Sequence, residues 1–343
     1  MSRKEKVKQE KKRRMGKLKR FLLFAFLFVV VTCLAYTGYV GAKMYLAWEQ
    51  IQSDTETDSI QDARGEQAKV PRKTNEPFTV LLMGIDDQGA PHMKGRTDVL
   101  MVAVVNPETK KVSLLSIPRD TYVTISGTGR KDKINHAHSL YGRETAIATV
   151  EDFLDIEIDY YMAVNFDGFR DFINVLGGLK INAEKDMYHH YKKDNIVINI
   201  KKGETVLNGD EALYYVRFRK DAEGDFGRNR RQQQVIKAVL DQTLTMRNVT
   251  KVGEMIEVIG DNFRTDIPAN QLFNMVRHFA TLSGDDVESL TLTGTPGTLN
   301  NTSYVFVDEA EQKRVQQELK ARLNPEPVTH LEQASESQAA DQY

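Results

Sequence analysis

Eighteen residues, Arg217 to Gln234 (RFRKDAEGDFGRNRRQQQ), carry five arginines and three acids. Arg217 and Arg219 stand two apart, after the apolar run from Ala212 to Val216. On a strand both would project from the same face. Gly224 and Gly227 then interrupt the pattern, and a helix is expected from about Arg228 to Thr245. Asp225 stands where its N-cap would be, and Arg228 and Gln232 lie four apart on one helical face. Guanidinium forks gathered near a helix N-terminus suit a phosphate or pyrophosphate. The competing reading is a solvated, salt-bridged helix start. Paired arginines, a glycine hinge, a cap and a further arginine favour the anion.

Three more clusters fall at predicted strand or helix ends. Gly84-Ile85-Asp86-Asp87 closes one apolar run, and Arg96-Thr97-Asp98 opens the next. Asp86 and Asp98 would flank one connecting loop. That suits a hard divalent cation, Mg²⁺ with Mn²⁺ as an alternative, held by one or two carboxylates plus substrate phosphates. Taken singly, each aspartate could equally satisfy backbone donors in a turn. In Ser116-Ile117-Pro118-Arg119-Asp120, Arg119 could clamp a phosphate or pair with a neighbouring acid. In Lys133-Ile134-Asn135-His136-Ala137, His136 is either an acid–base group or a cap. There is no P-loop, no metal-ligand histidine spacing and no defensible Ser-His-Asp order. The one cysteine, Cys33, lies in an apolar N-terminal run, so a cysteine nucleophile is excluded. The inventory fits Mg²⁺-assisted phosphoryl chemistry, in which positioning and charge stabilisation dominate. Asp86, Asp98 and Asp225 all remain candidates for the base.

The elements that must hold these groups alternate in type. Residues 78–85, 99–106 and 112–117 are nearly continuous apolar runs, as expected of strands buried on both faces. Asn-Pro-Glu-Thr-Lys-Lys (106–111) reads as a hairpin turn between the second and third. Helical periodicity appears at 138–154 and 167–176, with strands expected at 159–165, 179–184 and 287–293 and a weak strand and turn at 199–208. Two further helices are expected at 249–259 and 269–281. The class is therefore α/β: a central mixed β-sheet with helices on both faces, preceded by one transmembrane helix.

The formal net charge of −1 conceals an asymmetry. Residues 1–20 hold eleven Lys/Arg and two Glu, hence +9; the remainder holds 36 basic and 46 acidic residues, hence −10. Residues 21–42 then run without a charge, and at about 1.5 Å per residue they span a bilayer core of roughly 30 Å. The basic block belongs on the cytoplasmic side. The expected organisation is a basic cytoplasmic segment (1–20), an uncleaved signal anchor (21–42), an extracytoplasmic stalk (43–77), a catalytic domain (78–323) and a disordered tail (324–343). A basic arm set against a membrane span is a topology signal and an anionic-lipid contact rather than a nucleic-acid arm. The external domain contains no cysteine, so it forms no disulfide and rests on its packed core.

The segments LLMGIDDQG, GRTDVLMVAVVNP, VSLLSIPRDTYV, KINHAHSLYG, VNFDGFRDFINVLGG and LNGDEALYYVRFRKDAEGDFGRNRRQQQ, in that order, resemble the LytR-CpsA-Psr family of cell-wall enzymes. The resemblance spans roughly 78–245. It implies a transferase that takes a glycopolymer from a polyprenyl pyrophosphate and attaches it, with its phosphate, to peptidoglycan, releasing polyprenyl phosphate. It implies that Asp86 and Asp98 hold magnesium and that Arg96, Arg119, Arg217, Arg219 and Arg228 contact the pyrophosphate, with Asp225 and Gln232 beside it. Asp86, Asp98, Arg119 and Arg219 would be the catalytic residues. The alternatives are a lipid-binding or lipid-hydrolysing protein and an indirect transcriptional attenuator; no helix-turn-helix supports direct DNA contact.

Overall fold

The computed structural model describes residues 76–87, 93–192, 196–219, 223–244, 262–268 and 284–324, with isolated positions at 39–46 and at 258. The expected anchor at 21–42, the stalk, the helices at 249–259 and 269–281 and the tail lie almost wholly outside the described residues. Among the described residues no helix is long and apolar enough to cross a membrane.

The apolar runs form the centre of a mixed sheet. β1 (Phe78–Asp86) pairs antiparallel with β2 (Arg96–Asn106), and β2 pairs antiparallel with β3 (Lys111–Ser116) across the expected hairpin. β4 (Tyr122–Thr124) and β5 (Lys131–Lys133) make a small ribbon beyond β3. The predicted helix over 138–154 is two helices, α1 (His136–Tyr141) and α2 (Arg143–Leu154), because Gly142 at φ 90° breaks the chain between them. β6 (Tyr160–Asn165) runs parallel to β1.

α3 (Phe166–Leu176) follows at once, its N-terminus capped by the Asn165 side chain accepting from Gly168 N at 2.8 Å. β7 (Leu179–Ala183), β8 (Met187–Tyr191), β9 (Ile196–Ile200) and β10 (Gly203–Leu207) form two small antiparallel pairs, β7 with β10 and β8 with β9. α4 (Gly209–Arg217) and α5 (Gly224–Leu244) come next. β11 (Phe263–Thr265), β12 (Val287–Leu290), the hairpin of β13 (Thr295–Leu299) and β14 (Thr302–Phe306), and α6 (Glu309–Leu323) complete the described chain. The sheet order is β11-β6-β1-β2-β3-β12.

Each face of this sheet buries a different helix set, so alternate residues along β1 enter different cores. Leu81, Met83 and Ile85 pack with α1, α2 and α6, whereas Phe78, Val80 and Leu82 pack with Ile236 and Leu240 of α5. A third core joins α3, α4 and α5 to the small strands. The expected α/β architecture, with helices on both faces of a central mixed sheet, is what forms.

One element differs in kind from its prediction. Residues 212–216, expected as a strand, lie in α4. Asn208 accepts from Glu211 N at 3.0 Å while the Glu211 carboxylate accepts from Asn208 N at 3.1 Å. That reciprocal cap starts a helix just ahead of the apolar run, and Ala212, Leu213, Tyr215 and Val216 become its buried face.

Candidate active site

The C-terminal end of β1 and the start of β2 form the floor. Their ladder runs regularly to Gly84↔Val99 and resumes at Ile85↔Thr97, so Asp98 is an extra residue with no partner across it. A bulge of this kind bends the strand and re-aims a side chain. Gly84 permits it, since a Cβ there would lie 2.8 Å from Val99 Cβ. Gly95 permits the crossing beside it, where a Cβ would fall 1.8 Å from the Asp86 carbonyl oxygen. Asp86 thus stands opposite Arg96, which is exposed.

Three arginines, two from the end of α4 and one from the loop after β3, each rest on a different aspartate. Arg217 Nη2 donates to Asp86 Oδ2 at 3.2 Å, Arg119 Nη1 bonds Asp98 Oδ1, and Arg219 Nη2 donates to Asp120 Oδ2 at 3.4 Å. Arg119 Nε also lies 3.7 Å from Asp120. The carboxylates are mostly sheltered, whereas Arg217 and Arg219 keep 38% of their side-chain surface exposed. The arginines therefore form the accessible layer and the aspartates the layer beneath. Arg217 is also the last residue of α4, with its guanidinium 4.6 Å from the centre of the Phe166 ring. It reaches the site from a helix end rather than from the strand that spacing suggested.

Asp120 and Lys133, which the sequence offers only as members of the Arg119 and His136 clusters, belong to this site as well. Lys133 Nζ donates to Asp120 Oδ1 at 2.8 Å. Burial alone would raise the Asp120 carboxyl, but the Lys133 hydrogen bond and the charges of Arg119, Lys133 and Arg219 outweigh it and hold the group below its ordinary range. A carboxylate so held is a poor base and a good anchor for cations. The adjacency of Arg119 and Asp120 is the signal in the sequence, and the pairing it suggests organises the phosphate clamp rather than competing with it. His136 Nδ1 lies 2.9 Å from Asp132, four residues earlier, and takes the local pairing role. Asp87 serves its own loop, accepting from Met93 N at 3.1 Å and from Asn165 Nδ2 at 3.3 Å.

The rest of the arginine-rich stretch behaves differently. α5 starts at Gly224, so Asp225 is inside the first turn rather than at the N-cap, and its side chain lies outside the described residues. Arg228 and Gln232 are both buried, and Gln232 Nε2 donates to the Val216 carbonyl at 3.3 Å. Arg230 bonds Glu184 at 2.6 and 3.0 Å. Arg231 donates to the Phe218 carbonyl, Gln233 to the Leu114 carbonyl at 3.2 Å and Gln234 to the Asn182 carbonyl at 2.7 Å. Five consecutive side chains of α5 thus tie it to β3, to β7 and the residue after it, and to the end of α4. The structure brings Asp86, Asp98, Arg96, Arg119, Arg217 and Arg219 together at the strand ends and places Gln232 in the packing behind them.

The donor chemistry suits a hard cation. Asp86 and Asp98 offer carboxylate oxygens at the two sides of one bulged strand pair, and among the described residues no group of three or more His, Cys, Asp or Glu gathers into a complete cage. Two carboxylates completed by substrate oxygens is the arrangement Mg²⁺ commonly accepts.

Comparisons with known proteins bear on the family and the fold. The sequence profile of the LytR_cpsA_psr family matches residues 43–321. A relative from Enterococcus faecalis (strain ATCC 700802 / V583), the polyisoprenyl-teichoic acid--peptidoglycan teichoic acid transferase TagU, is 36% identical over 313 residues, covering 90% of this chain and 99% of its own length. The crystal structure of Bacillus subtilis TagV superposes with a TM-score of 0.65 at 38% identity, covering 74% of this chain and 99% of that one. A structure described as TagT bound to LIIa-WTA gives a TM-score of 0.64 at 34% identity, covering 76% and 98% respectively.

Proposed function

Because the chain belongs to the LytR_cpsA_psr family, we propose that it is a membrane-anchored, extracytoplasmic transferase. It moves an anionic glycopolymer such as wall teichoic acid from polyprenyl pyrophosphate to peptidoglycan, the reaction for which its relative TagU is named. The observation that carries this reading is the set of three arginine–aspartate pairs at the strand ends.

In the reaction, the acceptor hydroxyl oxygen bonds to the phosphorus nearest the polymer. The bond from that phosphorus to the bridging oxygen breaks, and polyprenyl phosphate leaves with the electron pair. Arg217, Arg219 and Arg119 would turn from their carboxylates to the pyrophosphate oxygens and neutralise the charge that grows on the leaving phosphate. Asp86 and Asp98 would hold Mg²⁺, which when bound supplies charge neutralisation at the phosphoryl oxygens. Arg96, with Asp225 and Arg228 in the first turns of α5, would complete the surroundings of the head group, and Gln232 would support them from the packing behind. The hydroxyl proton passes to a carboxylate. Asp86, Asp98 and Asp225 are the candidates to take it. The charge pattern of residues 1–42 supports a single-pass anchor with the N-terminus in the cytoplasm and the domain outside.

The test is to incubate the purified full chain with polyprenyl-pyrophosphate-linked polymer, Mg²⁺ and peptidoglycan oligomers. The expected products are a covalent polymer–peptidoglycan conjugate and free polyprenyl phosphate in equal amounts. Lipid cleavage with no conjugate would mean a hydrolase, and no reaction with retained lipid binding would mean a carrier.

A further inference from the structure

We propose that Arg231 is a positioning residue for the pyrophosphate clamp, acting through the backbone of the residue between its two arginines. The inference rests on the phosphotransferase reading and adds to it a residue that never faces the substrate.

Helices end with carbonyls that lack partners. At the end of α4, Phe218 turns to an extended conformation (φ −63°, ψ 130°). The carbonyls there are satisfied from α5: Gln232 Nε2 donates to Val216 O at 3.3 Å, and Arg231 Nη2 donates to Phe218 O at 2.6 Å. Phe218 separates Arg217 from Arg219, so this bond fixes the chain direction from which both clamp side chains leave. The Arg231 guanidinium also lies 5.4 Å from the centre of the Phe218 ring, gripping both backbone and side chain of the same residue. A cation at a helix C-terminus is favoured by the helix dipole as well.

Arg231 itself is immobilised. Its side chain is 0% exposed, and Nη1 lies 3.4 Å from Glu184 Oε2. Glu184 follows β7 directly and is held in turn by Arg230. The Arg230 hydrogen bond, with Arg231 contributing, keeps Glu184 below its ordinary pKa, so the anchor is a full carboxylate. Gly227 leaves room for two side chains: a Cβ there would fall 2.9 Å from Glu223 Oε2 and 3.2 Å from Arg231 Nη1. The brace therefore runs from β7 through Glu184 and Arg231 to Phe218. Of the pair Arg230 and Arg231, only Arg231 reaches the clamp.

Lysine at 231 keeps the charge but cannot hold Glu184 and the Phe218 carbonyl with one planar fork. The test is a double-mutant cycle with Arg231→Lys and Arg219→Lys, read by calorimetric binding of inorganic pyrophosphate with Mg²⁺ and, separately, by transfer. Arg231→Lys is expected to weaken pyrophosphate binding about tenfold, equivalent to about 1.4 kcal/mol. In the Arg219→Lys background the same change should cost at most about twofold, because the clamp it aligns is already impaired. Full multiplication of the two effects, or unchanged binding in Arg231→Lys, would overturn the proposal. Should Arg231→Lys not fold, Gly227→Ala, whose Cβ would crowd both Glu223 and Arg231 Nη1 without removing charge, must show the same non-additivity or the proposal fails. A wild-type chain that binds pyrophosphate but transfers nothing would sink the proposed function and leave the cycle interpretable.

Discussion

Replacing Arg219 by lysine separates a clamp from a surface salt bridge. In the structure Arg219 reaches Asp120 at 3.4 Å with 38% of its side chain exposed, from the connection between α4 and α5. Asp120 keeps Lys133 at 2.8 Å and Arg119 at 3.7 Å when Arg219 is altered, so no buried charge is stranded. The stability cost should therefore fall in the range for exposed pairs, about 0–1 kcal/mol. For a domain of this size that is a fall in Tm of at most about 2–4 °C. The cost to transfer should be far larger. Lysine preserves the charge but offers no two-pronged contact, and losing one preorganised donor to a developing charge costs on the order of 3–4 kcal/mol, about a hundredfold or more in rate. The assay is conjugate formation under single-turnover conditions, paired with thermal unfolding of the same preparation. Full activity with an unchanged Tm would refute the clamp. A Tm lowered by much more than the expected few degrees would make Arg219 structural.

Asp86→Asn and Asp98→Asn should each cut transfer by about a hundredfold or more with the unfolding transition retained, and EDTA should do the same to the wild type; EDTA-resistant transfer would remove the metal from the site. Burial lowers the His138 pKa below its ordinary value of about 6.5. The unfolded chain then binds the proton more readily than the folded one, so His138 contributes stability above about pH 6.5 that is lost as pH falls toward its folded pKa. The urea midpoint of the wild type should drop between about pH 7.5 and about pH 5.5, and that drop should be smaller in His138→Asn; equal drops would show that His138 does not titrate this way. Protease added to intact protoplasts should digest the domain, and full protection would invert the proposed topology.

What was legible in the sequence depended on whether the signal was local. The buried strands could be read because each is a continuous apolar run, and the hairpin at 106–111 because its turn residues are distinctive. The aspartates and arginines were visible as charges at strand ends. The pairing among them was not, since Arg217 and Asp86 meet only through tertiary folding. α4 is ambiguous in sequence because apolar residues at 212–216 fit either period over so short a run, and the reciprocal Asn208–Glu211 cap decides for the helix. The division of labour in RFRKDAEGDFGRNRRQQQ was hidden for a related reason. Arginine looks the same in sequence whether its fork faces solvent, as in Arg219, or a carbonyl inside the protein, as in Arg231. Asp98's bulge left no trace beyond Gly84, whose missing side chain makes room for it.

The loop bearing Arg119 and Asp120 is closed from far along the chain. Val305 N donates to the Asp120 carbonyl at 2.9 Å, and Thr121 bridges Val305 in β14. While the polypeptide is still being made, residues 86, 98, 119 and 217 can all have emerged without this latch. Contacts so distant in sequence form late, because loop closure must precede them. A nascent chain would therefore pass through its synthesis with the anion-binding loop held only by nearby bonds, such as Ile134 N to the Thr121 carbonyl and Lys133 to Asp120. The last restraint on that loop would arrive once the β13–β14 hairpin had docked, near the end of folding.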